Sequence, residues 1–317
     1  MGKVLVGPVR FRELCSEAAE MLQSAGHELV LNEAATPWTA ADITPLLPEA
    51  DAAIVGMDDW DADLISRAPQ LKILSKLGVG VDNIDLTAAR SHGVDVTNAP
   101  GANANAVAEL AIGLMIAASR HVVRQDRAIR AGRWDRYTGV DLAGKTVGLI
   151  GFGATAQLVA RRLAGFEPRL LAFDPFADAD AAAAWRVTLA PLEEVLSRAD
   201  VLSVHVPHLP ATHHLISDAQ LALLRPGAVL VNTSRGGVVD AEALARALGS
   251  GRVGAAGVDV WEVEPTPVDN PLLRFDNIVA TCHGAADSYE AYAQVGRVTA
   301  QAIINRLAGG TPANVRN

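Results

Sequence analysis

Cysteine is almost missing from this chain: only Cys15 and Cys282 occur in 317 residues. They lie far apart and without metal-ligand spacing, so no disulfide framework is expected and a reducing cytoplasm is the default location. A basic surplus is missing too. The net charge is −9, from 36 Asp and Glu against 27 Lys and Arg, which argues against a surface that neutralises nucleic-acid phosphates. Long apolar runs are also absent. The most apolar stretch, AVAELAIGLMIAAS from Ala106 to Ser119, is short for a bilayer and interrupted by Glu109. The N-terminus, MGKVLVGPVRF, carries no h-region of signal-peptide length. No HxH or HExxH spacing points to a metal, and no internal repeat or low-complexity linker breaks the chain.

What is present is an ordinary globular composition, 50% apolar and 20% charged, on a chain long enough for two domains. Short β-branched runs alternate with helical patterns along nearly its whole length. Strands are expected at 3–6, 52–55, 72–77, 95–98, 146–151, 169–174, 201–206, 228–234, 255–260 and 277–282. Amphipathic stretches such as FRELCSEAAEMLQSAG, AQLVARRLAGF and DAEALARALGSG lie between them. Continuous apolar strands separated by helices imply parallel sheets covered on both faces, an α/β doubly wound architecture. So many strands favour two sheets, with one long apolar helix from about residue 103 to 130 between the halves. A last helix, from about 288 to 307, would return the chain to the first domain.

The segment KTVGLIGFGATAQLVARRL sets Gly151-x-Gly153-x-x-Ala156 between an expected strand and an expected helix. The first glycine permits a tight turn, and the second lets a pyrophosphate approach the backbone. The small third residue allows helix and strand to pack, and the helix N-terminus supplies N–H donors. Asp174 ends the next strand roughly twenty residues on, where a carboxylate accepts from an adenosine ribose and repels a 2′-phosphate. The following PFADAD has no Lys or Arg to neutralise such a phosphate. NAD is therefore expected over NADP; the bland alternative is a glycine turn without a ligand.

Three later segments end strands with polar residues: NTSRGG (232–237), VDVWEVEP (258–265) and TCHG (281–284). An arginine, a glutamate and a histidine at strand carboxyl ends suit chemistry on a carboxylate-bearing carbonyl compound. A guanidinium grips a carboxylate bidentately, and a histidine oriented by a carboxylate passes a proton near neutral pH. Each has a plainer reading: Arg235 could cap a turn, Glu264 could be a solvated loop acid. His213 and His214 follow a turn and read as solvated rather than metal ligands.

These segments, with LGVGVDNIDL (77–86), TNAPGANANAVAELAIGLM (97–115), GKTVGLIGFG (144–153), VHVPHLPATHHLI (204–216), LLRPGAVLVNTSRGGVVD (223–240) and CHGAA, run through essentially the whole chain. In them the sequence resembles the D-isomer-specific 2-hydroxyacid dehydrogenases, the family of phosphoglycerate dehydrogenase and the glyoxylate/hydroxypyruvate reductases. The resemblance implies a Rossmann cofactor domain, 99–285, inserted into a flavodoxin-like substrate domain, 1–98 plus 286–317. It implies Arg235 as substrate-binding arginine, His283 as acid/base and Glu264 as its partner. By the same token Val79 and Gly80 would hold the substrate carboxylate through backbone N–H groups, and Asp259 would approach the nicotinamide amide. NAD would further meet Gly151, Gly153, Ala154, Thr155, Asp174, His205, Val206, Pro207, Thr212, Thr233, Ser234, Arg235 and His283. Relatives commonly form homodimers, which makes the 106–118 helix and AIRAGRWDR (128–136) candidate interface parts, with Trp134 packing there or reaching a neighbouring site.

Some positions depart from the family pattern. Ala156 replaces the third glycine, Ala154-Thr155 replaces a frequent Arg-Ile pair, Cys282 replaces a proline and Gly284 an apolar residue. The loss of the arginine removes one charge contact to the pyrophosphate, and Gly284 could loosen the histidine's loop. Where phosphoglycerate-type members often carry Arg-Ser, this chain has GMDDWDADLI (56–65), and Asp58 and Asp59 are expected to repel a phosphorylated substrate. A small non-phosphorylated 2-keto or 2-hydroxy acid of the glyoxylate or hydroxypyruvate type is the expected substrate, with D-3-phosphoglycerate as the alternative. An NAD-sensing corepressor-like interaction protein is the reading from a different class. Neither a membrane nor a nucleic acid is an expected partner. A cysteine hydrolase built on Cys282 lacks both a nucleophile elbow and a separate base.

Overall fold

The computed structural model describes residues 2–317. The chain divides into two compact units, Met1–Asn103 with Asp287–Asn317, and Ala104–Ala286.

The first unit holds strands β1 (Lys3–Val6), β2 (Glu28–Leu31), β3 (Ala52–Val55), β4 (Ile73–Lys76) and β5 (Asp95–Thr97). They form a wholly parallel sheet in the order β2-β1-β3-β4-β5, the flavodoxin-like doubly wound order. Alternation along each strand sorts side chains between two cores. Leu5, Ala53, Val55, Leu74 and Val96 pack under Trp60, Leu64 and Ile65. Val4, Val6, Ile54 and Ile73 face Phe11, Leu22 and Ile303. The last helix, Tyr289–Leu307, starts where the Ser288 side chain accepts from Ala291 N, and it lays Gly296 against Cys15. The terminal segment therefore completes this unit's second layer.

The second unit holds β6 (Thr146–Ile150), β7 (Arg169–Phe173), β8 (Val187–Leu189), β9 (Val201–Val204), β10 (Ala228–Asn232), β11 (Val253–Val258) and β12 (Ile278–Ala280). All pair in parallel, in the order β12-β11-β10-β9-β6-β7-β8, which contains the Rossmann order. Helices Ala104–Ser119 and Ala154–Leu163 cover one face, through Leu114, Met115, Val159 and Leu163. Leu196, Leu221, Leu244 and Leu248 cover the other. Both faces of β6, β9 and β10 are thus buried, as the unbroken apolar runs in TVGLI, VLSV and AVLVN require.

Three details differ from expectation. The long helix is broken at His121, which adopts φ +52, into Ala104–Ser119 and Val122–Arg130 at 64° to one another. Strands β2 and β8 were not expected from the sequence. Both lie at sheet edges, where ELVL is only half buried and VTL has a single buried residue, so neither shows the strand pattern clearly. No single helix among the described residues is long and apolar enough to cross a membrane; the bent pair passes that test of length and composition only when joined.

Candidate functional site

In the second unit the winding reverses between β6 and β9, and such sheets receive ligands at the carboxyl ends of those strands. Gly151 turns there with φ +91, and a Cβ on it would lie 3.0 Å from the backbone carbonyl of His205, so two loops meet at this point. Helix Ala154–Leu163 begins at Gly153 without a side-chain cap, and nothing stands within 4 Å of where a Gly153 Cβ would be. Its first N–H groups therefore face open space, a cradle that fits a dinucleotide pyrophosphate. Ala154 and Thr155 form its first turn, and Ala156 is buried against the core.

Asp174, just past β7, is already fixed by the protein. Its Oδ2 accepts from Phe152 N at 2.8 Å and its Oδ1 from Phe176 N at 2.8 Å. Two backbone donors leave the carboxylate further lone pairs for ribose hydroxyls. Across the glycine turn, His205 N donates to Ile150 O at 2.7 Å. The His205 Nε2 is buried and finds no partner among the described residues, and burial pushes the ring down to about 4, so it stays neutral at pH 7. Val206 leans on the Gly151 turn, while Pro207 is exposed and offers its carbonyl to the Thr212 hydroxyl at 2.6 Å. Thr212 Oγ1 in turn accepts from Leu209 N at 2.8 Å, which closes the loop on itself.

The turn after β10 is shaped by a residue that the sequence reading missed. Asn232 is 2% exposed; its Oδ1 accepts from Ser234 N and Oγ at 3.0 and 2.8 Å, and its Nδ2 donates to Arg235 O at 3.0 Å. Thr233 Oγ1 is buried without a partner among the described residues, and Arg235 Nη1 donates to Ser234 O at 2.8 Å. A Cβ on Gly236 would fall 2.0 Å from the Trp261 carbonyl carbon, so only glycine lets this turn lie on the one after β11.

That next turn carries Glu264. Its Oε1 accepts from Trp261 N at 2.9 Å and its Oε2 lies 2.6 Å from His283 Nδ1. Burial works to raise the Glu264 carboxyl. The bond to His283, the Trp261 N–H and the nearby charges of His283 and Arg235 outweigh burial and hold it below its ordinary value. Glu264 thus engages Nδ1 and leaves Nε2 of the imidazole for chemistry.

His283 itself sits in the left-handed region, φ +56, and is held there by the residue that follows β11. Its N–H donates to Asp259 O at 2.7 Å. The Asp259 carboxylate, 0% exposed, accepts from Thr281 Oγ1 at 2.6 Å, Gly284 N at 2.9 Å and Ala285 N at 3.0 Å. Both Asp259 oxygens therefore hold the histidine's own loop. Gly284 is one of the tied residues, and Cys282 is exposed.

In the first unit Val79 and Gly80 follow β4, and neither N–H has a partner among the described residues. Asn98, 6% exposed and at the end of β5, donates from Nδ2 to Val79 O and so orders this loop. Asp58 requires a correction. It is 2% exposed, with Oδ1 accepting from Gly56 N and Oδ2 from Trp60 Nε1, both at 2.7 Å. Its charge braces the loop after β3 rather than facing a substrate, and only Asp59 remains to repel one. No group of three or more His, Cys, Asp or Glu among the described residues could hold a metal ion.

Comparison with known proteins gives a consistent picture. The family model described as D-isomer specific 2-hydroxyacid dehydrogenase, NAD binding domain, matches residues 112–285. The chain is 40% identical to a D-3-phosphoglycerate dehydrogenase of Archaeoglobus fulgidus, over 99% of this chain and 58% of that protein. It thus spans little more than half the length of that relative. It is 38% identical to a glyoxylate reductase of Korarchaeum cryptofilum, over 92% of this chain and 90% of that protein. Among solved structures, apo D-lactate dehydrogenase of Escherichia coli is similar with a TM-score of 0.87 and 30% identity, over 99% of each chain.

Proposed function

The chain belongs to the D-isomer-specific 2-hydroxyacid dehydrogenase family, and on that footing we propose that it interconverts a small, non-phosphorylated D-2-hydroxy acid and its 2-keto acid with NAD. The observation that carries this reading is the 2.6 Å contact between His283 Nδ1 and Glu264 Oε2, with the Arg235 turn packed against the Glu264 turn. NAD, when bound, supplies or accepts the hydride.

The chain's own residues supply the rest. The N–H groups of the Gly151–Thr155 turn hold the pyrophosphate, and Asp174 takes the ribose and disfavours a 2′-phosphate. His205, Val206, Pro207, Thr212, Thr233 and Ser234 line the cofactor's path, and Asp259 reaches it through the loop it braces. Arg235 grips the substrate carboxylate as a bidentate donor and polarises the adjacent carbonyl oxygen. In reduction His283 gives the proton on Nε2 to the carbonyl oxygen, while Glu264 stabilises the imidazolium beforehand; in oxidation the proton returns to Nε2.

The substrate class rests on the 56–65 segment, which has no Lys or Arg and exposes Asp59. The likeness to a D-3-phosphoglycerate dehydrogenase favours that acid as a second reading. A screen of NADH oxidation over 2-keto acids, phosphorylated and not, with NADPH alongside, separates the two. Turnover of glyoxylate or hydroxypyruvate with NADH is expected. Efficient use of the phosphorylated substrate with poor use of the plain acids would overturn the substrate class. Undiminished turnover by His283→Ala would overturn the catalytic assignment.

A further inference from the structure

Trp261 has no part in the chemistry proposed above, yet the turns bearing Arg235, Glu264 and His283 all rest on it. It is 7% exposed and belongs to the core, with Leu244, Val258 and Leu272, that covers one face of the second unit's sheet. A close-packed indole of this size has no room to swing, so the residue's two N–H groups keep fixed directions. The main-chain N–H donates to Glu264 Oε1 at 2.9 Å, and the indole Nε1–H donates to Thr281 O at 2.9 Å. Thr281 lies two residues before His283. On the third side the Trp261 carbonyl carbon would be 2.0 Å from a Cβ on Gly236, the residue after Arg235.

Three hydrogen bonds close into a ring. Trp261 N–H reaches Glu264 Oε1, and Glu264 Oε2 lies 2.6 Å from His283 Nδ1. The chain then runs back from His283 through Cys282 to Thr281, whose carbonyl accepts from the Trp261 indole. Asp259 grips the same loop through Thr281 Oγ1, Gly284 N and Ala285 N. Among the described residues it makes no bond to Glu264, so it secures the loop without setting its distance from the glutamate. Trp261 bonds to both. The indole N–H is a donor that phenylalanine, the other large apolar aromatic, does not carry.

Resting on the function proposed above, we propose that Trp261 is a positioning residue for proton transfer. Through its two N–H groups it holds Glu264 and the His283 loop on one rigid residue, and so sets the contact between them. Other groups bind the substrate and NAD, so removal of the indole donor acts on proton delivery from His283 Nε2 rather than on binding. A shift of roughly 1 Å in a catalytic group costs about a hundredfold. The Asp259 bonds persist here and keep the shift smaller, so a loss of about tenfold is expected.

Two changes at this position test it. Trp261→Phe keeps the main-chain N–H and removes the indole donor, at the cost of a small cavity. Replacement of Trp261 by benzothienylalanine, in which sulfur stands where the N–H was, removes the donor and keeps the ring's volume. Each is expected to lower kcat for keto-acid reduction about tenfold and to leave KM for NADH and for the keto acid within about twofold. The solvent deuterium isotope effect on kcat should rise, because proton delivery becomes the slower step. Undiminished kcat in the benzothienyl protein overturns the proposal, as does a loss carried by KM or an unchanged isotope effect, since a merely structural role predicts those. Should Trp261→Phe not fold, the isostere carries the test. Proton NMR reads the contact without turnover, through the far-downfield signal of a His283 Nδ1–H bonded to Glu264, assigned by its loss in His283→Ala. Loss or upfield movement of that signal in the benzothienyl protein supports the proposal; an unchanged signal, or none in the wild type, overturns it. Absence of wild-type turnover with every keto acid refutes the proposed function instead, and the NMR comparison then decides the positioning.

Discussion

Asp259→Asn is the most demanding test of how the histidine is held. The carboxylate is 0% exposed and accepts three bonds from the loop of His283, two on Oδ1 and one on Oδ2. Asparagine keeps the Oδ1 acceptor but turns an NH2 toward Ala285 N, placing donor against donor. One bond to a charged acceptor is lost, about 2 kcal/mol, and a buried N–H is left unpaired at about 1–3 kcal/mol. Relaxation of His283 from φ +56 would return about 1 kcal/mol. The net expectation is about 3 kcal/mol of lost stability, read from urea unfolding followed by fluorescence. Turnover should fall about a hundredfold, because a displacement of roughly 1 Å in a catalytic group costs that much. Thr281→Val removes only the 2.6 Å hydroxyl bond and should cost about 1 kcal/mol. Native stability and turnover in the asparagine variant would refute the reasoning. Native stability with a raised KM for NADH would place the aspartate's main role at the cofactor instead.

Three further outcomes are expected. Glu264→Gln should lower keto-acid turnover about a hundredfold in steady-state assays. Since the Glu264 carboxyl is held below its ordinary value, its stabilising pairing is complete above the ordinary glutamate range and is lost as pH falls through its lower folded value, so acid melting curves of this variant should flatten there. His205, pushed down to about 4, has the opposite form of linkage to a paired histidine. The unfolded chain binds the proton first, so stability should fall by about 3 kcal/mol as pH drops from about 6.5 to 4, a loss that His205→Gln removes in denaturant titrations at each pH. Gly236→Ala must move a Cβ that would sit 2.0 Å from the Trp261 carbonyl carbon; separation of the two turns should cost about 3 kcal/mol or more and abolish most turnover, while a soluble, fully active alanine variant would contradict that packing.

The central strands were legible because they are buried on both faces and so read as unbroken apolar runs: AAIV, TVGLI and AVLVN are buried at every position. Edge strands lack that demand, and β2 and β8 did not stand out. The break at His121 is a single backbone conformation that no periodicity in AIGLMIAASRHVV announces. Within the candidate site, Arg235, Glu264 and His283 stand out in the sequence because each follows a strand end and carries a group suited to acid–base or carboxylate chemistry. Their supports do not. Asn232 and Asn98 answer local backbone groups whose needs exist only once the turns have formed. Asp58 was misread as a surface acid because a polar residue in a polar loop has no burial signature. Gly7 leaves the space for it, since a Cβ there would lie 2.5 Å from Asp58 Oδ1, and the Trp60 indole N–H takes the other oxygen.

The departures around the histidine take on a physical sense once its anchor is known. A residue in the left-handed region is maintained only if its surroundings over-determine it. Here those surroundings come from Asp259, the residue after β11, through its backbone and carboxylate, rather than from the side chains on either side of His283. Gly284 and Ala285 enter through their N–H groups, which any non-proline residue provides, and the side chain of Cys282 is exposed. The bonds that hold the loop thus ask only for a backbone N–H at position 284 and for nothing from the exposed side chain at 282. Against the permissive glycine at 284 stands one restraint, the bond from its N–H to a carboxylate with no exposed surface. The adjacent cysteine and histidine thus divide cleanly: the imidazole is aimed by Glu264 and anchored by Asp259, whereas the thiol has neither a base nor an orienting carboxylate of its own.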